Sequence, residues 1–272
     1  MAERMQLRGR TAVVTGAGSG IGQAIAMVLA HRGCHLALVD VNAASLAGTV
    51  ALLPAACRVS QHVVDVASRE MVAALPAAVS TVHDRVDLVV NNAGVGVDGT
   101  FDMVSEEDFD WLFAINFHGV VRMTRAFMPL LRASDDARLV NISSIFGIVA
   151  PAEQVAYAAS KFAVRGFSEA LRHELEGTRV GVTVVHPGGV RTNIADNARV
   201  PRGIGAADVI RRRDDFRKFL RMPPAKAGEI IVRSVECRKP RVLVGADAAG
   251  LALLQRLAPV SYWSLMAKGM PK

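Results

Sequence analysis

Seven short, unbroken apolar runs, separated by stretches of helical period, constrain this chain more than any other feature. The runs are Thr11–Thr15, His35–Val39, Val59–Val64, Val86–Val90, Arg138–Ile142, Val180–Val185 and Arg241–Val244. Helical stretches lie between them at Gln23–His31, Ala43–Leu53, Ser68–His83, Glu106–Leu131 and Val155–Glu176. Strands without polar alternation are covered on both faces, and strands that alternate with helices form a parallel sheet. Right-handed crossovers then predict an α/β, Rossmann-type, doubly wound sheet in the order 3-2-1-4-5-6, with Arg241–Val244 as a seventh strand. A chain of 272 residues that is 51% hydrophobic can bury one large core. No repeat, low-complexity segment or linker divides it, so one domain is expected over residues 1–272.

The first strand runs directly into a turn. Gly16-Ala17-Gly18-Ser19-Gly20-Ile21-Gly22 follows Thr-Ala-Val-Val-Thr, and an apolar helix begins at Gln23. Strand, glycine turn and helix are the context that a dinucleotide motif needs. Glycines let the backbone turn sharply and approach a pyrophosphate, while a helix N-terminus adds N–H groups and positive potential. The spacing is T-G-x-x-x-G-x-G, since Gln23 stands where the last glycine of G-x-G-x-x-G would be. The alternative is a glycine-rich turn with no ligand.

Tyr157 and Lys161 lie four apart in Tyr-Ala-Ala-Ser-Lys. On a helix they share a face, one turn from each other. An ammonium beside a phenol favours the phenolate and draws a pKa of about 10 toward the working range of a general acid/base. Ser144, thirteen positions earlier and just past a strand, is placed to hydrogen-bond the same oxygen. Tyr-x-x-x-Lys alone is common by chance. Its weight comes from the nucleotide motif upstream.

Taken together, Thr15–Gly22, Asn91-Asn92-Ala93-Gly94, Asn116, Ser144, Tyr157, Lys161 and Pro187-Gly188 stand in an order and spacing that resembles the short-chain dehydrogenase/reductase family, over about residues 7–195. The resemblance implies an enzyme that moves hydride between a nicotinamide and a secondary alcohol or ketone. It implies that Tyr157 exchanges a proton with the substrate oxygen, that Lys161 lowers the phenol and bonds the nicotinamide ribose, and that Ser144 orients the substrate. Ser143 is the rival for Ser144, and the thirteen-residue offset selects Ser144. Asn116 would kink its helix and hold a water linking Lys161 to solvent. An exposed helical asparagine is disfavoured there by Trp111, Phe113, Ile115 and Phe117 around it.

The resemblance also implies the cofactor contacts. Gly16, Gly18, Ser19, Gly20, Ile21 and Gly22 form the first turn, and the others close successive strands, because ligands bind beyond the carboxyl ends of parallel strands. Asp40 closes the second strand, 24 residues after Gly16. A carboxylate there accepts both adenosine ribose hydroxyls and repels a 2′-phosphate. Val41 follows it, and Ser19 fills a position often basic in NADP-preferring relatives, so NAD is expected over NADP. The alternative role for Asp40 is a helix N-cap. Asp65 and Val66 would meet the adenine, unless Asp65 only starts a turn. Asn92 and Gly94 would pass close to the ribose, with Asn91 tying strands together. Val190 and Thr192 would hold the nicotinamide carboxamide, and Tyr157 and Lys161 would touch the cofactor too; the bland reading of Pro187–Thr192 is a strand-ending turn.

Three scattered cysteines (Cys34, Cys57, Cys237) without C-x-x-C suggest buried small residues in a reducing compartment. The first six residues lack the apolar centre of a signal peptide, so a cytoplasmic protein is expected. The histidines show no metal spacing, and His173-Glu174 lacks a second histidine, so no metal is expected. Beyond Thr192 the family pattern stops, and the resemblance assigns residues 193–240 to a variable substrate lid and 245–272 to a C-terminal extension. Between Arg199 and Arg241 there are 13 Lys and Arg against 5 Asp and Glu, a local +8 beside a whole-chain +7. Ala206–Met222 reads as a basic amphipathic helix with Val209, Ile210, Phe216, Phe219 and Leu220 near one face. Such a lid suits a lipophilic substrate (steroid-, retinoid- or acyl-type) with an acidic handle, or an anionic membrane surface; solvated charges are the equal alternative. Tyr262, Trp263, Leu265 and Met266 in the tail fit membrane contact or a partner subunit. Nucleic acid is not expected, as no binding motif accompanies the charge. A non-catalytic, NAD-binding regulatory or membrane-peripheral protein is the competing class. Surplus apolar residues on Glu106–Leu131 and Val155–Glu176 (Trp111, Phe117, Phe127, Phe162, Phe167, Leu171) suggest a homodimer or homotetramer.

Overall fold

The apolar runs pair side by side as seven parallel strands: β1 (Thr11–Thr15), β2 (His35–Asp40), β3 (Val59–Val63), β4 (Leu88–Asn91), β5 (Ala137–Ile142), β6 (Val180–Pro187) and β7 (Arg241–Val244). Their order is β3-β2-β1-β4-β5-β6-β7, as the crossover rule requires. The computed structural model describes residues 4–201 and 204–267. Part of the N-terminal segment (1–3), two lid residues (202–203) and the end of the tail (268–272) lie outside the described residues. Every position of β1, β4 and β5 is buried, which only a sheet covered on both faces permits.

Alternate residues of each strand feed two cores. Val14, Leu36, Leu38 and Val90 face a layer made by α1 (Gly20–His31), α2 (Ala43–Val50) and α8 (Pro224–Glu236). Val13, Val89, Leu139 and Val182 face α3 (Arg69–Ser80), α5 (Val120–Ala133) and α6 (Val155–Glu174). Gly228 lets α8 touch α1 backbone to backbone, because a Cβ there would stand 2.8 Å from the Ala24 carbonyl carbon. At the amino end of the sheet, the fully buried Asp87 accepts from Thr11 N (2.9 Å), Arg10 (3.0 Å), Arg85 (2.8 Å) and Ser134 (2.6 Å). That network fixes β1 against the start of β4 and the approach to β5.

Four expectations need correction. The stretch Glu106–Leu131 is not one α-helix. It is α4 (Glu106–Phe113), a π turn (Ala114–Gly119) and α5. The extra residue of the π turn brings Asn116 to full burial, and Arg122 donates to the Ala114 carbonyl there at 3.0 Å. The lid helix α7 (Ala206–Arg217) ends before Met222, because residues 219–222 turn away to pair with the loop after β6: Met222 N donates to Gly189 O at 2.9 Å and Arg191 N to Met222 O at 2.8 Å. Its expected apolar stripe is split, with Ile210 and Phe219 exposed. Phe127 is not surplus, since it is wholly buried beneath the sheet. Three helices go beyond the expected elements: α8 and, after β7, α9 (Ala246–Leu257) and α10 (Tyr262–Ala267). Among the described residues no helix is long and apolar enough to cross a membrane.

Candidate active site

The carboxyl ends of β1, β2 and β4 converge because their registers align, with Val14 opposite both Leu38 and Val90. The glycine turn sits at that point. Gly16 (φ +62°) and Gly20 (φ +56°) adopt the left-handed conformation, and a Cβ on Gly22 would overlap the Gly16 carbonyl. Ser19 is the extended N-cap of α1 and its side chain makes no capping bond. No acidic residue occupies the first turn of α1, so its N-terminal potential is open to an anion. Ile21 packs on the core behind the turn.

Asp40 reaches directly into this turn. Its Oδ2 accepts from Gly18 N at 2.9 Å and its Oδ1 from Asn42 N at 3.1 Å. The N-cap of α2 is Asn42, which accepts from Ser45 N at 2.9 Å, so the capping alternative for Asp40 falls away. Asn92 Nδ2 donates to Thr15 O (3.0 Å) and Gly16 O (3.2 Å), holding β4's end against the glycine turn. Thr15 Oγ1 completes the tie by accepting from the Asn92 and Ala93 amides at 2.9 and 3.0 Å. Asn91 ties strands as expected, donating to Asn141 Oδ1 at 2.9 Å. Thr192, after β6, also meets the turn, its methyl carbon 3.1 Å from the Cβ position of Gly20.

Gly94 joins the cofactor side to the catalytic side. A Cβ there would stand 3.2 Å from Asn116 Oδ1 and 3.3 Å from Lys161 Nζ. Asn116 is held on both ends: Val95 N donates to Oδ1 at 2.8 Å, and Nδ2 donates to Val95 O (3.0 Å) and Ser160 Oγ (3.2 Å). Lys161 Nζ donates to Ile142 O at 3.2 Å and lies 5.5 Å from the centre of the Tyr157 ring. Ser143 turns away to the Lys161 carbonyl at 2.8 Å, while Ser144, whose Oγ accepts from Phe146 N at 3.1 Å, stays on the Tyr157 side and favours its phenolate. Phe146 packs edge-on against that ring, 6.2 Å between centroids.

The electrostatics run against the simple expectation that the lysine brings the phenol down. Burial pushes Tyr157 up to about 12, and the Ser144 hydrogen bond opposes it. Burial likewise pulls Lys161 down to about 8. Desolvation penalises the charged form of each group.

Three predicted residues stand apart. Asp65 is exposed and its Oδ1 accepts from Ala67 N at 2.8 Å, so its first role is the turn after β3; Val66 is buried against Gly119. Val190 is buried in the core, and its amide already donates to Gly188 O at 2.9 Å, which leaves its carbonyl for a ligand. Sequence alone gave no separate role to Thr15, Ser160 or His186. Ser160 also donates to Tyr157 O at 2.8 Å. His186 is fully buried, and its Nδ1 carries the proton that Ser144 O accepts at 2.9 Å. Thr15 and Ser160 lie inside the glycine and Tyr-Ala-Ala-Ser-Lys motifs, whereas nothing local marks His186.

The residues fit a nicotinamide dinucleotide: a glycine cradle that side chains would fill, an uncapped helix N-terminus and a carboxylate beside it. A family model described as short chain dehydrogenase matches residues 10–202. The chain belongs to the short-chain dehydrogenase/reductase family. The Mycobacterium tuberculosis protein SadH is 43% identical over 267 residues, 97% of this chain and 96% of that one. A 3-ketodihydrosphingosine reductase of Bacteroides thetaiotaomicron is 31% identical over 237 residues, 84% of each. The crystal structure of a short-chain dehydrogenase/reductase from Burkholderia phymatum in complex with NAD superposes with a TM-score of 0.86 at 30% identity, covering 93% of this chain and 95% of that one. This family member is therefore an oxidoreductase with a nicotinamide cofactor.

Proposed function

We propose that the protein is an NAD-preferring dehydrogenase/reductase of a lipophilic secondary alcohol or ketone. The observation that carries this reading is the meeting of Tyr157, Ser144, Lys161 and Asn116 at the chain just after β4, with Asp40 anchored in the glycine turn. Gly16, Gly18, Ser19, Gly20, Ile21 and Gly22 would hold the pyrophosphate, Asp40 the adenosine ribose, Asp65 and Val66 the adenine edge, Asn92, Gly94 and Lys161 the nicotinamide ribose, and Val190 and Thr192 the carboxamide. When bound, the nicotinamide supplies or accepts the hydride. Tyr157 gives its phenolic proton to the substrate oxygen in reduction and takes it back in oxidation. Ser144 fixes that oxygen against the phenol, and the Lys161 ammonium, 5.5 Å from the ring centre, stabilises the phenolate once the proton has left.

A lipophilic substrate is supported by exposed Phe101, Met103, Ile210 and Phe219 on the loop after β4 and the lid, and by the similarity to a 3-ketodihydrosphingosine reductase. The lid's charge argues less for an anionic partner than its count suggests. Arg199 pairs with Asp108, Arg212 with Glu153, Arg217 with Asp196 and Lys218 with Asp215. Peripheral membrane contact is a second reading, favoured by exposed Leu253, Leu257, Val260 and Leu265 on and around α9 and α10, and testable by liposome co-sedimentation. A non-catalytic role is disfavoured because all four catalytic positions are filled. A homodimer or homotetramer is supported by a half-exposed aromatic row across α4, the π turn and α6 (Phe109, Phe113, Phe117, Phe167), beside exposed Phe162. A monomer by light scattering would defeat that assembly. The deciding experiment for function is a panel of alcohols and ketones assayed with NAD and NADP; no turnover with any would overturn the reading.

A further inference from the structure

The chain beyond β7 lies outside the matched family region, which ends at residue 202, yet it reaches back to the cofactor side of the site. Asp247, in the first turn of α9, accepts a hydrogen bond from Gly189 N at 2.7 Å. Its carboxylate lies among glycines. A Cβ on Gly188 would overlap Oδ2, and one on Gly245 would overlap Oδ1. From the other side the lid grips the same segment: Met222 N donates to Gly189 O at 2.9 Å, and a Cβ on Gly189 would overlap the Phe219 carbonyl.

Gly188 and Gly189 are the two most pliable links between β6 and Thr192. Thr192, only three residues past Gly189, is packed against Gly20. Whatever fixes Gly189 therefore fixes where Val190 and Thr192 stand relative to the glycine turn. We propose that Asp247 is a positioning residue that holds Gly188–Thr192 in its cofactor-binding form, so that the C-terminal extension completes the nicotinamide side of the site. The inference rests on reading the site as a nicotinamide site. Asp247 itself does not touch the reacting atoms.

The competing role is purely structural, an acidic residue stabilising the N-terminus of α9 by its charge. The two roles separate in Asp247→Asn, which keeps an acceptor for Gly189 N but loses the charge, and in Asp247→Ala, which loses both. Isothermal titration with NADH, kinetics with saturating substrate and thermal melting are measured on parent and variants. Asp247→Ala should raise the Kd for NADH and the KM for NAD by about tenfold, within what one charge-assisted hydrogen bond can supply, while kcat stays within about threefold. Asp247→Asn should bind NADH within about threefold of the parent. Parent-like binding by Asp247→Ala, or equal weakening in both variants, overturns the inference while leaving the cofactor reading intact. A parent that binds neither NADH nor NADPH overturns both. If Asp247→Ala does not fold, Asp247→Ser, whose hydroxyl is too short to reach Gly189, takes its place.

Discussion

Asp40→Ala tests the cofactor reading most directly. Two backbone donors pin the carboxylate beside the glycine turn, Gly18 N at 2.9 Å and Asn42 N at 3.1 Å. Rotating it away from an incoming 2′-phosphate breaks hydrogen bonds to a charged acceptor, worth about 1.5–3 kcal/mol each. Leaving it in place sets like charges together, and two such charges about 5 Å apart at an effective dielectric near 20 repel by about 3 kcal/mol. Either route costs NADP a similar amount, and NAD meets neither cost. The parent should therefore favour NAD over NADP in kcat/KM by roughly tenfold to a thousandfold, about 1.4–4 kcal/mol. In Asp40→Ala the ratio should fall toward unity from both sides, as NAD loses an acceptor for its ribose hydroxyls and NADP loses a repulsion. Initial rates read from the absorbance of reduced nicotinamide give both ratios. Equal use of the two cofactors by the parent, or an unchanged ratio in Asp40→Ala, would refute the argument.

Tyr157→Phe keeps the ring against Phe146 but removes the transferable proton, so turnover should fall by about 10² or more while NADH binding persists; a few-fold loss would remove Tyr157 from the acid/base role. Stability should weaken on acidification, because burial holds His62, His83 and His186 below the ordinary 6.5 and the unfolded chain binds protons that the folded one refuses. The stability is complete above that value and erodes below it; His186, at about 4 when folded, accounts for on the order of 3 kcal/mol between 6.5 and 4. The melting temperature of His186→Gln should thus depend less on pH than the parent's, and an identical slope would contradict the assignment. Asp87→Ala leaves Arg10 and Arg85 without their shared buried carboxylate and the Thr11 amide without its acceptor, and should cost about 3–5 kcal/mol in denaturant unfolding. A loss under about 1 kcal/mol would mean that Asp135 and Asp136 take over the network.

What the residues determine by themselves lies in short stretches. Apolar runs such as Leu-Val-Val, the crossover rule, the glycines after Thr15 and the four-residue step from Tyr157 to Lys161 each act within a turn or a strand, so periodicity and spacing were enough to anticipate the sheet order and to place Tyr157 and Lys161 on one helix. Tertiary structure decided the rest, because it depends on groups distant in the chain. Asn116 lies in a π turn since both ends of its amide are taken by Val95 and Ser160, 21 and 44 residues away. Three of the lid's arginines are paired with Asp108, Glu153 and Asp196, whose proximity no local count reveals. The Tyr157 phenol moves up rather than down because desolvation sums over every element packed around it, whereas the sequence shows only the neighbouring lysine. Asp247 meets Gly189 across 58 residues, through a hydrogen bond that exists only once β7 has docked beside β6.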